Sequence, residues 1–168
     1  MLTFASEEEK EEIRKRGLDH IQPEAARLGE KYRHEIETEY LAPVVVKMVG
    51  PDIGQGLFAK ESIPEGAYIG EYIGIVRTNH SLSPISDYCF RYPVPDSIGR
   101  DFVVDAICGN LTRFINHSFK PNLIPKYAYV NGFYHLVFFA GEPIVKGTQL
   151  TYNYGRHYWA LRGPPMEL

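Results

Sequence analysis

Cysteine is scarce in this 168-residue chain: there are two, Cys89 and Cys108, and no Cys-x-x-Cys spacing. A disulfide framework or a cysteine zinc cluster therefore does not organise the sequence, and a reducing compartment is the simpler inference. Long apolar runs are missing too. The longest, Leu136-Val137-Phe138-Phe139-Ala140, falls far short of the ~20 residues of a membrane-spanning helix. The chain reaches Glu7-Glu8-Glu9 almost at once, so no cleavable secretory signal is expected. Nor is charge of one sign in excess. The net charge of −3 is too small for non-specific nucleic-acid binding. No internal repeat is present, and Trp159 is the single tryptophan.

What is abundant is tyrosine and phenylalanine, with twelve and nine copies. Aromatic residues suit a β-rich core or an aromatic-lined pocket. The acidity is concentrated in residues 1–40, which hold eleven acidic and seven basic side chains against ten and eleven in the remainder. A solvated helix face explains this, with steering of a basic peptide as the alternative. Ser6 followed by Glu9 has capping-box spacing and predicts a helix to about Arg16, stopped near Gly17. Pro23 suits the first turn of a second helix. There Ile21, Ala25, Leu28, Tyr32, Ile36 and Tyr40 form one apolar stripe, read as core packing.

From Val44 onward the pattern becomes short β-like runs broken by Gly, Pro, Asn and Asp. Strands are predicted over 44–49, 67–76, 88–92 and 102–105, with a loop over 81–86 that contains Pro84. Asn131-Gly132 between two apolar runs predicts a two-residue hairpin turn, because both central residues need positive φ. The fold class is mainly β with N-terminal helices.

Three motifs carry chemistry. Pro51-Asp52-Ile53-Gly54-Gln55-Gly56-Leu57-Phe58-Ala59 is a glycine-containing stretch whose backbone can approach a ligand closely, although an ordinary turn also explains it. A dinucleotide fingerprint lacks its third glycine and helix. Asn116-His117-Ser118 reads alone as a turn. A Ser118–His117–Asp105 triad is disfavoured, because adjacent residues point apart along an extended chain and no Gly-x-Ser-x-Gly elbow exists. Leu150-Thr151-Tyr152-Asn153-Tyr154-Gly155 reads alone as a tyrosine-rich terminal strand.

In this order, together with Glu71-Tyr72-Ile73-Gly74 and Arg113-Phe114-Ile115-Asn116-His117-Ser118, the motifs resemble the SET-domain protein lysine methyltransferases. The closer likeness is to the short, cysteine-free SET proteins of bacteria and viruses. The resemblance implies small antiparallel sheets of the β-clip type, and a C-terminal pseudoknot that joins Asn116-His117 to Tyr154. It divides the chain into a helical extension (1–40), the SET domain (41–155) and a closing segment (156–168). It implies methyl transfer from S-adenosylmethionine to a protein lysine, with a histone tail as substrate and S-adenosylhomocysteine as product. Ile53, Gly54, Gln55, Gly56, Arg113, Phe114, Asn116, His117 and Tyr154 would hold the cofactor. Tyr154 falls on the catalytic tyrosine, and Tyr152 stands at the family's Phe/Tyr position, where a hydroxyl limits product to mono- or dimethyl-lysine. Tyr88 would line the lysine channel, or simply pack on its strand. Trp159 would stack on adenine or cap the channel, or else cover the core.

No metal is expected, and neither nucleic acid nor membrane is expected as a direct partner. A homodimer is compatible with the sequence, and a cytoplasmic or nuclear location follows, the host nucleus if the protein is exported as an effector. A SET-fold binding module without transfer activity is the alternative. The sequence departs from the family's pattern at Phe119, where a Cys is usual, at Asn153, where Asp is common, and at Ile75, where a Glu often stands. The 105–110 segment is about one residue short, and no cysteine-rich flanks exist. Arg156-His157-Tyr158-Trp159-Ala160-Leu161-Arg162 is the candidate for the missing C-terminal wall, and Gly163-Pro164-Pro165 reads as an exit from ordered structure.

Overall fold

Strand β1 (Thr3–Phe4) leads into helix α1 (Glu7–Asp19), and the Ser6 hydroxyl accepts the Glu9 N–H at 3.1 Å, as the capping spacing predicts. The computed structural model describes residues 2–19, 21–78, 86–95 and 101–159. Gly17 does not stop α1. It is buried within the helix, with the position of a Cβ 3.6 Å from the Tyr129 ring. One helical glycine costs only ~1 kcal/mol relative to alanine, too little to end a packed helix. Helix α2 (Pro23–Lys31) carries its proline in the first turn. The predicted stripe then divides, because Tyr32 leaves helical geometry at φ −114° and helix α3 (Arg33–Glu37) follows. Ala25 and Ile36 are buried, while Ile21 and Tyr40 at the stripe's ends are exposed.

The strands are β2 (Val44–Gly50), β3 (Gly54–Ala59), β4 (Tyr68–Glu71), β5 (Ile75–Thr78), β6 (Cys89–Pro95) and β7 (Asp101–Asp105). After a 3-10 turn at Leu111–Phe114 come β8 (Asn116–His117), β9 (Leu123–Val130), β10 (Phe133–Ala140), β11 (Thr151–Tyr152) and helix α4 (Arg156–Trp159). The single strand expected over 67–76 is two. Its break lies where Gly74 presses on the next segment: a Cβ there would sit 2.4 Å from the Asp105 carbonyl oxygen. The Asn110 side chain serves the interrupted backbone, its Nδ2 donating to the Glu71 carbonyl at 2.9 Å. The predicted hairpin joins β9 to β10, with Asn131 at φ 53° and Gly132 at φ 90°. Of the predicted loop over 81–86, residues 81–85 lie outside the described residues, as do Ala160, Leu161, Arg162 and Gly163-Pro164-Pro165.

Four sheets result, with strand orders β1-β5-β7-β6, β4-β10-β9, β11-β8 and β2-β3. The chain forms two compact units, one of residues 1–40, 70–113 and 126–137, the other of 41–69, 114–125 and 138–168. In the first, Ile13, Val76, Phe102 and Val104 are almost fully enclosed; in the second, Leu57, Ile69, Ile115, Phe138 and Leu150 are. Each such side chain contributes about 1.5–3 kcal/mol through burial. Tyrosine abundance has a partly structural cause in the first unit. There the Tyr134 ring meets Tyr92, Tyr127 and Tyr129 at 6.5, 6.2 and 5.0 Å. The Tyr92 hydroxyl accepts the Tyr134 N–H at 2.9 Å. Among the described residues no helix is long and apolar enough to cross a membrane.

Gly29 is the tightest approach in the first unit, since a Cβ there would lie 1.9 Å from the Tyr129 carbonyl oxygen. Gly29→Ala gains about 1 kcal/mol of helix propensity but forces backbone apart, and overpacking costs about 1–3 kcal/mol or more. Net destabilisation is expected in chemical denaturation; a rise in stability would show that α2 does not pack as described.

Candidate active site

Three segments of the second unit meet: the β2–β3 turn, β8, and β11 with the turn after it. Gly54 has φ +77°, and a Cβ built on it would meet nothing within 4 Å. Its backbone therefore faces open space in a conformation that glycine adopts without strain. Gly56 has the opposite constraint. A Cβ there would fall 2.2 Å from Gln149 Oε1, 2.7 Å from Val49 Cγ2 and 3.0 Å from Asn116 Nδ2. Only glycine lets the two side-chain amides pass. Ile53, just before this pair, is half-buried, and Gln55 is exposed.

Asn116 Nδ2 donates to the Gln55 carbonyl at 3.1 Å and to Gln149 Oε1 at 2.9 Å. Both its hydrogens are thereby committed, leaving the amide oxygen for another donor. Strand β8 pairs in parallel with β11, Asn116 opposite Thr151 and His117 opposite Tyr152. The Ser118 N–H continues the ladder to the Tyr152 carbonyl at 3.1 Å. Asn122 is buried and braces β11, its Nδ2 donating to the Gln149 carbonyl at 2.8 Å and its Oδ1 accepting the Thr151 N–H at 2.9 Å.

His117 is buried, and its Nδ1 accepts the Tyr154 N–H at 3.1 Å. The ring proton therefore belongs on Nε2, a buried atom with no hydrogen-bond partner among the described residues. Burial holds the imidazole below its ordinary value, opposed by the backbone at Tyr152. Tyr154 donates its hydroxyl to the Ile115 carbonyl at 2.9 Å. Its ring lies 4.7 Å from Tyr152 and 4.6 Å from Tyr158, and is stacked on Trp159 at 6.0 Å with 9° between planes. Trp159 and Phe119 also meet the His117 ring at 5.0 and 4.7 Å. Tyr152 is buried against Phe138 at 5.1 Å.

Two departures from the family's pattern now have a physical account. Asn153 Oδ1 accepts the Gly155 N–H at 2.8 Å, next to Gly155 at φ +83°. That turn needs an acceptor, which an amide supplies as well as a carboxylate does. Phe119 places an aromatic edge on His117 where a cysteine is usual.

Not every predicted residue falls in this cluster. Phe114 is half-buried at the end of the 3-10 turn. Tyr88 and Arg113 belong to the first unit, where the Arg113 guanidinium carbon lies 5.8 Å from the Tyr88 ring centroid and the side chain donates to the Ile107 carbonyl. The disfavoured triad is absent, since Asp105 is bonded to Arg77, to Ser86 and to the Ile107 N–H, and His117 Nδ1 to Tyr154. Sequence reasoning missed Gln149 and the bracing role of Asn122. Gln149 acts on a partner 33 residues away, and no local pattern marks it. Asn122 follows Pro121 a few residues beyond the Asn116-His117-Ser118 motif, and a polar residue after proline was the available signal.

The chain belongs to the SET-domain family, whose model matches residues 54–155. It is similar to mouse histone-lysine N-methyltransferase EHMT1, 29% identical over 67% of this chain and 9% of that protein. Human histone-lysine N-methyltransferase 2B is 33% identical over 88% of this chain and 6% of that protein. The chain thus spans about a tenth or less of the length of these curated relatives. Among solved structures, KRYPTONITE in complex with mCHH DNA, an H3(1-15) peptide and SAH aligns with a TM-score of 0.63. It is 30% identical, and the alignment covers 77% of this chain and 27% of that one. The fold is the SET fold.

The His117 geometry has a pH consequence. Its folded value is lowered from 6.5, so the unfolded chain binds a proton more readily. His117 therefore contributes stability that is complete above about pH 6.5 and is lost as pH falls through the folded value. An NMR titration of the His117 ring is expected to give a midpoint below 6.5, with the neutral form protonated at Nε2. A midpoint at or above the ordinary value, or an Nδ1 proton, contradicts the bond to Tyr154.

Proposed function

We propose that the chain is a protein-lysine N-methyltransferase that uses S-adenosylmethionine and acts on a histone tail. The observation that carries this reading is the pairing of Asn116-His117 with Thr151-Tyr152, which sets Tyr154 beside His117 through the bond from its own N–H. The family and the relatives' names support the activity, and the solved relative's H3(1-15) peptide and SAH support the substrate and cofactor classes.

The chain's groups fit the cofactor. Gly54 turns its backbone to open space, and Asn116 keeps an amide oxygen for a donor. His117 Nε2 and Trp159 Nε1 are buried donors without a partner among the described residues. The rings of Tyr154, Tyr158 and Trp159 suit both a purine face and a cation. In this reading Ile53, Gly54, Gln55, Gly56, Phe114, Asn116, His117, Tyr154 and Trp159 would hold the cofactor, and Tyr152 would line the lysine channel. Residues 1–40 form an extension, 41–155 the catalytic domain and 156–168 its closing segment.

S-adenosylmethionine supplies an electrophilic methyl group on a sulfonium. The lysine nitrogen must reach it uncharged, from a pKa near ~10.4 in water. An apolar aromatic channel lowers that value by disfavouring the ammonium, and a neighbouring cation lowers it further. Tyr154 donates its hydroxyl hydrogen to the Ile115 carbonyl, so its oxygen can accept an amine N–H and aim the nitrogen lone pair. The remaining work is alignment and exclusion of water. Burial favours the neutral form of His117, so its imidazole would add no positive charge to a bound cofactor. A histone substrate entails a nuclear site of action.

Incubation with S-adenosylmethionine and separated histones, read by peptide mass spectrometry, tests the proposal. Wild type is expected to add methyl groups to a lysine. Tyr154→Phe should reduce transfer by about 10²-fold or more while cofactor affinity stays nearly unchanged. Equal loss of binding and transfer would remove the assigned role, and cofactor binding without any product would favour a binding module. Tyr152→Phe should shift products towards trimethyl-lysine, and an unchanged product distribution would contradict the role assigned to the Tyr152 hydroxyl.

A further inference from the structure

Gln149 stands one residue before the Leu150-Thr151-Tyr152-Asn153-Tyr154-Gly155 motif, and its main chain is held from several directions. Its carbonyl accepts Asn122 Nδ2 at 2.8 Å. The next N–H, that of Leu150, donates to the Leu57 carbonyl at 2.7 Å, and Gln149 itself bridges to Phe58. The half-buried side chain therefore starts from a fixed backbone. Its Oε1 accepts one hydrogen of Asn116 Nδ2 at 2.9 Å, while the Gln55 carbonyl accepts the other at 3.1 Å.

Two acceptors on one amide nitrogen do what one cannot. The terminal torsion of an asparagine is broad, so a single bond to Gln55 leaves the amide free to swing about it. A second acceptor in another direction fixes the amide plane, and with it the direction of Oδ1, the atom left for a donor. The Gln55 carbonyl can only accept, so the Asn116 amide cannot invert and still serve it. Gln149 must then present its oxygen and not its nitrogen. A Cβ at position 56 would lie 2.2 Å from Gln149 Oε1 and 3.0 Å from Asn116 Nδ2, so Gly56 leaves this pair of amides the room to meet.

We infer that Gln149 is a positioning residue for the cofactor: as a hydrogen-bond acceptor it aims Asn116 Oδ1, and through Asn116 it sets cofactor affinity. The identity of that ligand rests on the transferase reading. The orientation of the Asn116 amide does not.

Two variants of similar shape separate the acceptor from the packing. Gln149→Glu keeps an oxygen in place of Oε1, and Gln149→Met keeps the length of the side chain and removes the oxygen. Gln149→Ala, which removes the same oxygen with less demand on packing, replaces Gln149→Met should that variant not fold. In the full chain without cofactor, NMR should show one Asn116 Nδ2 hydrogen of Gln149→Met moved upfield and exchanging faster with water. Gln149→Glu should keep both hydrogens held. By calorimetry, Gln149→Met is expected to bind S-adenosylhomocysteine about fivefold more weakly than wild type, the scale of one neutral hydrogen bond. Gln149→Glu should bind it at least as tightly as wild type. In transfer to separated histones, the loss should fall on the KM for S-adenosylmethionine more than on kcat. Unchanged Asn116 signals in Gln149→Met would overturn the inference, and so would equal weakening by both variants, which would leave position 149 a packing role alone. Wild type and Gln149→Met of equal affinity would overturn the inference and spare the transferase reading. A wild type that binds no cofactor would overturn both.

Discussion

The candidate site depends on a two-residue parallel pairing. Strands β8 and β11 contribute only Asn116-His117 and Thr151-Tyr152, and a ladder so short has little strength of its own. Side chains supply what the ladder lacks. Asn122 holds the Gln149 carbonyl and the Thr151 N–H, Asn116 reaches Gln149 and the Gln55 carbonyl, and His117 receives the Tyr154 N–H. Each bond is modest alone, about 0.5–1.5 kcal/mol net. They share partners, however, so the segments are fixed together rather than one by one. Gly56 belongs to the same arrangement, because any side chain there would occupy the space of Gln149 and Asn116.

What the sequence revealed follows from the range of each signal. The Ser6 cap, Pro23 in the first turn of α2 and the Asn131-Gly132 turn are local, and each stands where its spacing placed it. The helix end at Gly17 and the strand over 67–76 were misread because their outcome depends on distant contacts, Tyr129 in one case and Asp105 in the other. The motif residues Gly54, Gly56, Asn116, His117, Tyr152 and Tyr154 were legible through family resemblance. Gln149 was not, since an amide that bonds a residue 33 positions away looks like any surface glutamine.

Two departures from the family's pattern, Asn153 and Phe119, make their contacts with backbone and with a ring. Asn153 needs only an acceptor to close its turn on Gly155, so loss of the carboxylate charge costs the turn nothing. Phe119 is 55% exposed yet presents its ring to His117. The contacts around His117 and Tyr154 are rings, from Phe119 and from Tyr158 and Trp159 of α4.

The ring cluster also bears on charge. A cluster of His117, Tyr152, Tyr154, Tyr158 and Trp159 presents aromatic faces and neutral N–H and O–H groups, with an imidazole held uncharged by burial. Such a surface attracts cations through ring quadrupoles without offering a carboxylate that would hold an ammonium in its charged form. A carboxylate in the same place would bind lysine more tightly and raise its pKa, opposing the loss of the proton that nucleophilic attack requires.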